Sequence, residues 1–225
     1  MGAQADQVRD DIIQRVQARL LLPGDVIDEG ELRTRLNLSS TPIREALIAL
    51  EATGVIERRP RAGARIVQLD LEGLVKLLEA HAEAEGAVAY RAARRVNKTQ
   101  AATIERALID CEQFDESNND EEPSYFDLNM RFHQTLMEAA GNDYLSEMLY
   151  QRGNRLIGYL NARHRLAGEA QRSAADHRRI YQAVIDGDCD GARATMISHV
   201  MMDDAKVLDV INQMKHHTAS ADAAE

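Results

Sequence analysis

The stretch Ser39-Ser40-Thr41-Pro42-Ile43-Arg44-Glu45-Ala46-Leu47 opens a helix and sets an arginine on its outer side. Thr41 offers a capping hydroxyl, and Pro42 at the first helical position loses an N–H that would have no helical partner anyway. Ile43, Leu47 and Leu50 recur at i, i+4 and i+7 and face inward, so Arg44, Ile48 and Glu51 face away. Gly54 closes this helix. Downstream, 55–58 and 65–69 read as two strands joined at Pro60-Arg61-Ala62-Gly63. Upstream, Val8, Ile12, Ile13, Val16 and Leu20 mark an amphipathic helix to about Leu21, broken at Pro23-Gly24-Asp25. Asp28 or Glu29 opens a short second helix with Leu32 and Leu36 inside; Asn37 ends it and Leu38-Ser39-Ser40 forms the turn. Three helices and a hairpin in residues 1–69 make a winged helix-turn-helix, a unit that lays a helix in the major groove of duplex DNA.

From Leu71 onward the apolar spacing is helical almost without interruption. The pattern predicts helices at 71–96, 98–116, 124–140, 143–166, 170–186 and 188–216, with joints at Asn118–Pro123, Gly141-Asn142, Ala167-Gly168 and Gly187. Helices with short joints imply an antiparallel bundle. The predicted fold is therefore mainly α: a winged domain at 1–69, an all-helical domain at 70–216, a hinge near Asp70–Gly73 and a disordered tail at 217–225.

The net charge of −10 looks wrong for a partner of DNA until it is divided. Residues 1–69 hold ten basic and ten acidic side chains, and the rest of the chain holds 17 against 27. Arg58, Arg59, Arg61 and Arg65 cluster without an acid between 58 and 65. A positive tip on an acidic body still meets phosphate, while the body discourages non-specific sticking. No window reaches eighteen apolar residues, so no membrane partner is expected. No secretory signal is read at the N-terminus, and Cys111 and Cys189 form no C-x-x-C pair. The expected setting is cytoplasmic, with reduced thiols.

These features identify the chain as resembling the GntR family of transcription regulators, in the FadR subfamily with an FCD effector domain. The resemblance spans about Val8 to Val210. It rests on Leu22-Pro23-Gly24, the 39–47 run, Pro60–Gly63, Arg131-Phe132-His133 followed by Gly141-Asn142, and the pair His177 and His199. It implies a homodimer on a palindromic operator, acting as a repressor, with a helical domain that binds a small organic acid beside a divalent metal. Four positions depart from the family pattern: Ser40 and Ala62 stand where arginine is usual, His81 where an arginine often meets the ligand, and Asn129 where aspartate is the common metal ligand.

On the DNA side, Arg44 is placed to meet a base edge, a contact worth about 1–3 kcal/mol of discrimination. The alternative is a surface arginine paired to Glu45 or Glu51. Ser39, Ser40 and Thr41, with the N–H groups of the helix start, suit phosphate oxygens. Arg58, Arg59 and Arg61 beside Gly63 would follow the backbone or enter a minor groove, and Arg35 would touch phosphate or serve as a plain surface charge. In the helical domain Asn129 and His133 share a helix face, and His177 and His199 come from two later helices. Three imidazoles and one oxygen suit Zn²⁺, with Ni²⁺, Mn²⁺ or Fe²⁺ as alternatives, better than Ca²⁺ or Mg²⁺. Asp127 is a fallback donor; His164, His216 and His217 read as solvated. His81 and Arg155 are candidate effector contacts, with ordinary packing or surface exposure as the alternative. Two rival functions stay open at this point: a regulator that responds to metal directly, and a metal-dependent hydrolase with a DNA-binding module.

Overall fold

The computed structural model describes residues 2–59, 63–115, 123–203 and 205–212. Arg61 and the tail at 217–225 therefore lie outside the described residues, as do His216 and His217. In chain order the elements are α1 (Ala3–Gln17), β1 (Val26–Ile27), α2 (Glu29–Leu36), α3 (Ser40–Ala52), β2 (Ile56–Arg59), β3 (Gly63–Ile66), α4 (Leu71–Arg95), α5 (Lys98–Glu112), α6 (Tyr125–Ala140), α7 (Asp143–His164), α8 (Glu169–Ile185) and α9 (Cys189–Val200). Two compact units emerge. One holds Met1–Leu74 together with Gln151–Gly158 from α7, and the other holds Val75–Tyr150 and Tyr159–Gln213.

The core of the first unit gathers Val8, Ile12 and Val16 of α1, Leu32 of α2, Ile43, Ala46, Leu47 and Leu50 of α3, and Ile56 and Ile66 of the sheet, with Ile157 at its edge. α1 stops at Gln17, four residues before its expected end. Ala18 caps it and Arg19 takes a left-handed φ of 60°, which turns Leu21 and Leu22 back into the interior. The Asp28 carboxylate accepts from Gly30 N and Glu31 N to open α2, and Asn37 closes it at φ 52°. The cap of α3 is Ser39, not Thr41, so Pro42 falls at the third helical position. That position is still among those whose N–H has no intrahelical partner, so proline costs nothing there. The sheet has a third strand that the apolar pattern does not announce. β1 pairs antiparallel with β3 (Val26 with Arg65, Ile27 with Ala64), giving the order β1-β3-β2. Two residues are too few to show an alternation.

In the second unit, Ala89 and Ala92 of α4, Ile104 and Leu108 of α5, Phe132 and Leu136 of α6, Ile180 and Val184 of α8 and Met196 of α9 form an apolar centre. Small residues let the helices approach closely. A Cβ on Gly86 of α4 would lie 2.7 Å from Ile197 Cγ1 of α9. α6 opens with a capping box between Ser124 and Asp127 and ends at Gly141, φ 55°. The expected final helix, 188–216, is broken. α9 ends at Val200, Met201 is extended, and residues 205–212 are helical again. No glycine or proline marks this break. Arg163 of α7 ends the helix from a distance, its Nη2 donating to His199 O at 2.9 Å and its Nη1 to Val200 O at 3.2 Å. Asp203 then starts the next turn by accepting from Lys206 N at 2.8 Å. The expected hinge at Asp70–Gly73 is the start of α4 itself, with the Asp70 carboxylate accepting from Gly73 N.

Candidate functional site

The first unit presents α3 as sequence spacing suggests. Its buried side carries Pro42, Ile43, Ala46, Leu47 and Leu50, and Thr41, Arg44, Glu45 and Ile48 are exposed. Ser39 caps the helix without engaging its side chain, so its hydroxyl and the first N–H groups are available to an acceptor or an anion. Arg44 makes no hydrogen bond or ion pair among the described residues. Glu51, considered above as its partner, instead accepts from Arg58 Nε at 2.9 Å. Arg35 is held in a fork by Asp11, at 2.5 and 2.6 Å, and by Glu31 at 3.2 Å. The Asp11 hydrogen bonds push its pKa up. Gly63 sits at φ 74°, where a Cβ would meet no described atom within 4 Å. Of Arg59 only the backbone is described.

The second unit brings three histidines together. His133 of α6, His177 of α8 and His199 of α9 are all buried. His199 Nε2 lies 3.3 Å from His133 Nε2 and 3.2 Å from His177 Nε2, and one ring nitrogen from each falls within 4.8 Å of the other two. Two of the outer nitrogens are backed by acids. His133 Nδ1 is 3.2 Å from Glu85 Oε2, and His199 Nδ1 is 3.4 Å from Asp176 Oδ2. Phe132 stacks on His177 with ring centroids 4.0 Å apart. Removal from water pushes His177 well below the ordinary imidazole value and His199 down to about 4. Burial alone would raise the Glu85 carboxyl, but His133, His81 and His199 together outweigh that and hold it low. Asp176 is held at about 2, first by its hydrogen bond with His199 and then by Arg179.

Asn129 is buried one turn before His133, and its Oδ1 has no hydrogen-bond partner among the described residues. Asp127 is spent on its own helix, accepting from Ser124 N and Oγ at 3.0 and 2.6 Å. His81 is buried on the same side of α4 as Glu85, 3.7 Å from it. Arg155 is elsewhere. It is exposed, and a Cβ on Gly54 would meet its Cγ and Cδ at 2.9 Å. His164, read above as solvated, is buried against Tyr125 and Phe126, and burial drives its pKa well down. Glu85, Asp176 and Arg163 were not singled out from the sequence. The i, i+4 spacing of His81 and Glu85 and the adjacency of Asp176 to His177 were the available signals. Nothing local reveals Arg163.

Ligand chemistry follows from this geometry. Neutral imidazoles offer lone pairs, and acids behind the ring nitrogens fix tautomer and orientation, as metal-binding histidines require.

Comparison with known proteins agrees with both units. Residues 4–66 match the family described as bacterial regulatory proteins, gntR family, and residues 76–201 match the FCD domain. The HTH-type transcriptional repressor RspR of Escherichia coli K12 is 31% identical over 127 residues, which cover 54% of this chain. That match spans about half of the relative, 52%. The HTH-type transcriptional regulator LutR of Bacillus subtilis is 26% identical over 201 residues, 80% of this chain and 90% of that one. Among solved structures, McbR/YncC of E. coli superposes with a TM-score of 0.77 at 18% identity, covering 95% of this chain and 99% of that one. A GntR transcriptional regulator from Rhodococcus sp. RHA1 gives 0.72 at 15%, covering 93% and 98%. These two likenesses show the fold. No described helix is long and apolar enough to cross a membrane. The chain belongs to the gntR family of bacterial regulatory proteins, a family of regulators and not of enzymes, with an FCD domain as its helical part.

Proposed function

We propose that this chain binds an operator through α3 and the β2–β3 hairpin, and that its helical unit alters that binding on taking up a small organic acid beside a divalent metal. It acts as a homodimer on a palindromic site, as a repressor. Family membership and the unengaged, exposed Arg44 support the DNA half. The observation that carries the effector half is the meeting of His133, His177 and His199, buried and with carboxylates behind two of them. The donor set fits a transition metal, Zn²⁺ first, then Ni²⁺, Mn²⁺ or Fe²⁺. His133, His177 and His199 would hold it, with the unpartnered Asn129 Oδ1 as oxygen donor. When bound, such an ion supplies a localised positive charge for a carboxylate. Glu85 and Asp176 orient the rings, and His81 stands beside Glu85 on α4. An acid changes DNA affinity only to the extent that it prefers one arrangement of the protein over another.

Gel shifts test this on duplexes from the DNA flanking the protein's own gene and on scrambled controls, at two salt concentrations, with and without zinc and a panel of organic acids. The wild type should prefer one duplex and release it when an acid is added in the presence of zinc. Arg44→Ala should bind both duplexes with similar, weaker affinity. Equal operator affinity for Arg44→Ala and wild type removes the Arg44 assignment, and indifference to every duplex overturns the function. One observation favours a direct metal response: Glu85 puts a carboxylate, not a cation, close to His133. Operator binding that follows zinc alone, whatever acid is present, selects that reading.

A further inference from the structure

Away from the carboxylates, the histidine trio continues into a second set of buried polar groups that no metal role uses. Tyr125, Asn129 and His133 follow one another at i, i+4 and i+8 along α6, and Ser173 and His177 lie one turn apart on α8. His164 of α7 leans on the Tyr125 ring, centroids 5.2 Å apart. The Tyr125 hydroxyl lies within hydrogen-bonding reach of the Ser173 hydroxyl. Tyr125, His164, Ser173 and His177 are each at least 95% buried. His164 Nδ1 and His177 Nδ1 have no hydrogen-bond partner among the described residues, and Tyr125 Oη and Ser173 Oγ have none there beyond each other. Four buried polar atoms with a single bond among them are unusual, because buried polar groups are almost always fully paired.

The chemistry of these groups selects what would pair them. The two hydroxyls and the His164 ring nitrogen donate or accept as required, and His177 Nδ1, with its other nitrogen turned to the metal, donates, so the set suits a partner that does both. A hydroxyl does both; a carboxylate or phosphate only accepts and calls for a cation. The cations near Glu169 are committed: Arg163 is shared between Glu169 and the carbonyls of His199 and Val200, and Lys206 pairs with Glu169 at 2.6 Å. Glu85 and Asp176 add negative charge on the far sides of His133 and His199. A second carboxylate would meet these two acids and find Arg163 and Lys206 already paired.

We infer that Tyr125, His164, Ser173 and the outer nitrogen of His177 form a hydroxyl-recognising extension of the histidine site, so that the effector is a hydroxylated monocarboxylate and not a plain fatty acid or a di- or tricarboxylate. This rests on the effector reading proposed above. A site built to pair a hydroxyl rejects the analogue lacking it, because its own buried groups are then left unpaired.

Calorimetric titration of the full chain, supplied with zinc, tests the inference. The probes are D-glycerate and D-gluconate against propionate and hexanoate, with malonate and citrate as controls. At least one hydroxylated acid should bind tenfold or more tighter than its deoxy counterpart and than either control. Tyr125→Phe and Ser173→Ala should each remove most of that preference while leaving zinc affinity, read by chelator competition, within about twofold. Both substitutions delete only an oxygen, and thermal unfolding checks that the fold persists. If no acid of any kind binds, the effector reading falls and this inference with it. If acids bind but the deoxy compounds or citrate match the hydroxylated ones, or if neither substitution alters the preference, the extension alone is refuted.

Discussion

Glu85 shows how much a single buried side chain can carry. It sits against the outer nitrogen of His133 at 3.2 Å and beside His81 at 3.7 Å, and so sets which nitrogen of His133 holds the proton and which lone pair faces His177 and His199. Substituting Glu85→Gln keeps the volume and removes the charge. Zinc affinity, measured by competition with a chromophoric chelator, should fall 10–100-fold, as is typical when the partner behind a metal-binding histidine is lost. Unchanged affinity would mean that Glu85 serves packing alone. The same scale explains why the DNA-side arginines are not equivalent. Arg35 and Arg58 are each engaged by an acid, and Arg44 is not engaged by any described residue. If Arg44 meets a base edge as proposed, it does so without first breaking an ion pair to a described residue.

At the scale of elements, the winged unit was legible in the sequence wherever a local rule governs. Asp28 and Asn37 bound α2, Gly54 follows α3 at φ 77°, and the inward row of α3 is the expected one. What escaped notice was set by distant partners. β1 exists because β3 runs beside it, and α9 stops because Arg163 takes its last carbonyls. The histidine trio was readable as residue types, since His133, His177 and His199 are the imidazoles that later meet. His164 is flanked in sequence by Arg163 and Arg165, and what covers it, Tyr125 and Phe126, lies on another helix. Close helix approach is likewise invisible until the partner is known. Gly86→Ala would thrust a methyl to 2.7 Å from Ile197 Cγ1 and 3.1 Å from Arg193 Cγ. Overpacking of this kind costs about 1–3 kcal/mol, and urea unfolding should show it as a lowered midpoint. The pair Gly86→Ala with Ile197→Ala should recover part of the loss; an unchanged midpoint in Gly86→Ala would deny the tight contact.

For the molecule as a whole, buried histidines tie stability to pH. His164 and His177 are driven well below 6.5 and His199 to about 4, in each case first by burial. The folded protein therefore excludes protons that the unfolded chain accepts from about pH 6.5 downward. Their contribution is complete above that value and is lost as pH falls toward the folded pKa values. Urea midpoints of the metal-stripped protein should drop steadily from pH 7 to pH 5, and a flat or rising profile would contradict this. Zinc at a hundredfold its Kd should add about 2.7 kcal/mol at pH 7. One feature of the chain's layout bears on any dissection of the molecule. Gln151–Gly158 is grouped with residues up to Leu74, and Ile157 rests on the core that α1 and α3 build. A gene fragment stopped after residue 74 would thus lack a patch of its own interior, supplied some eighty positions later. No single cut yields two whole halves, and DNA-binding assays on such a fragment would measure an injured version of the domain they set out to isolate.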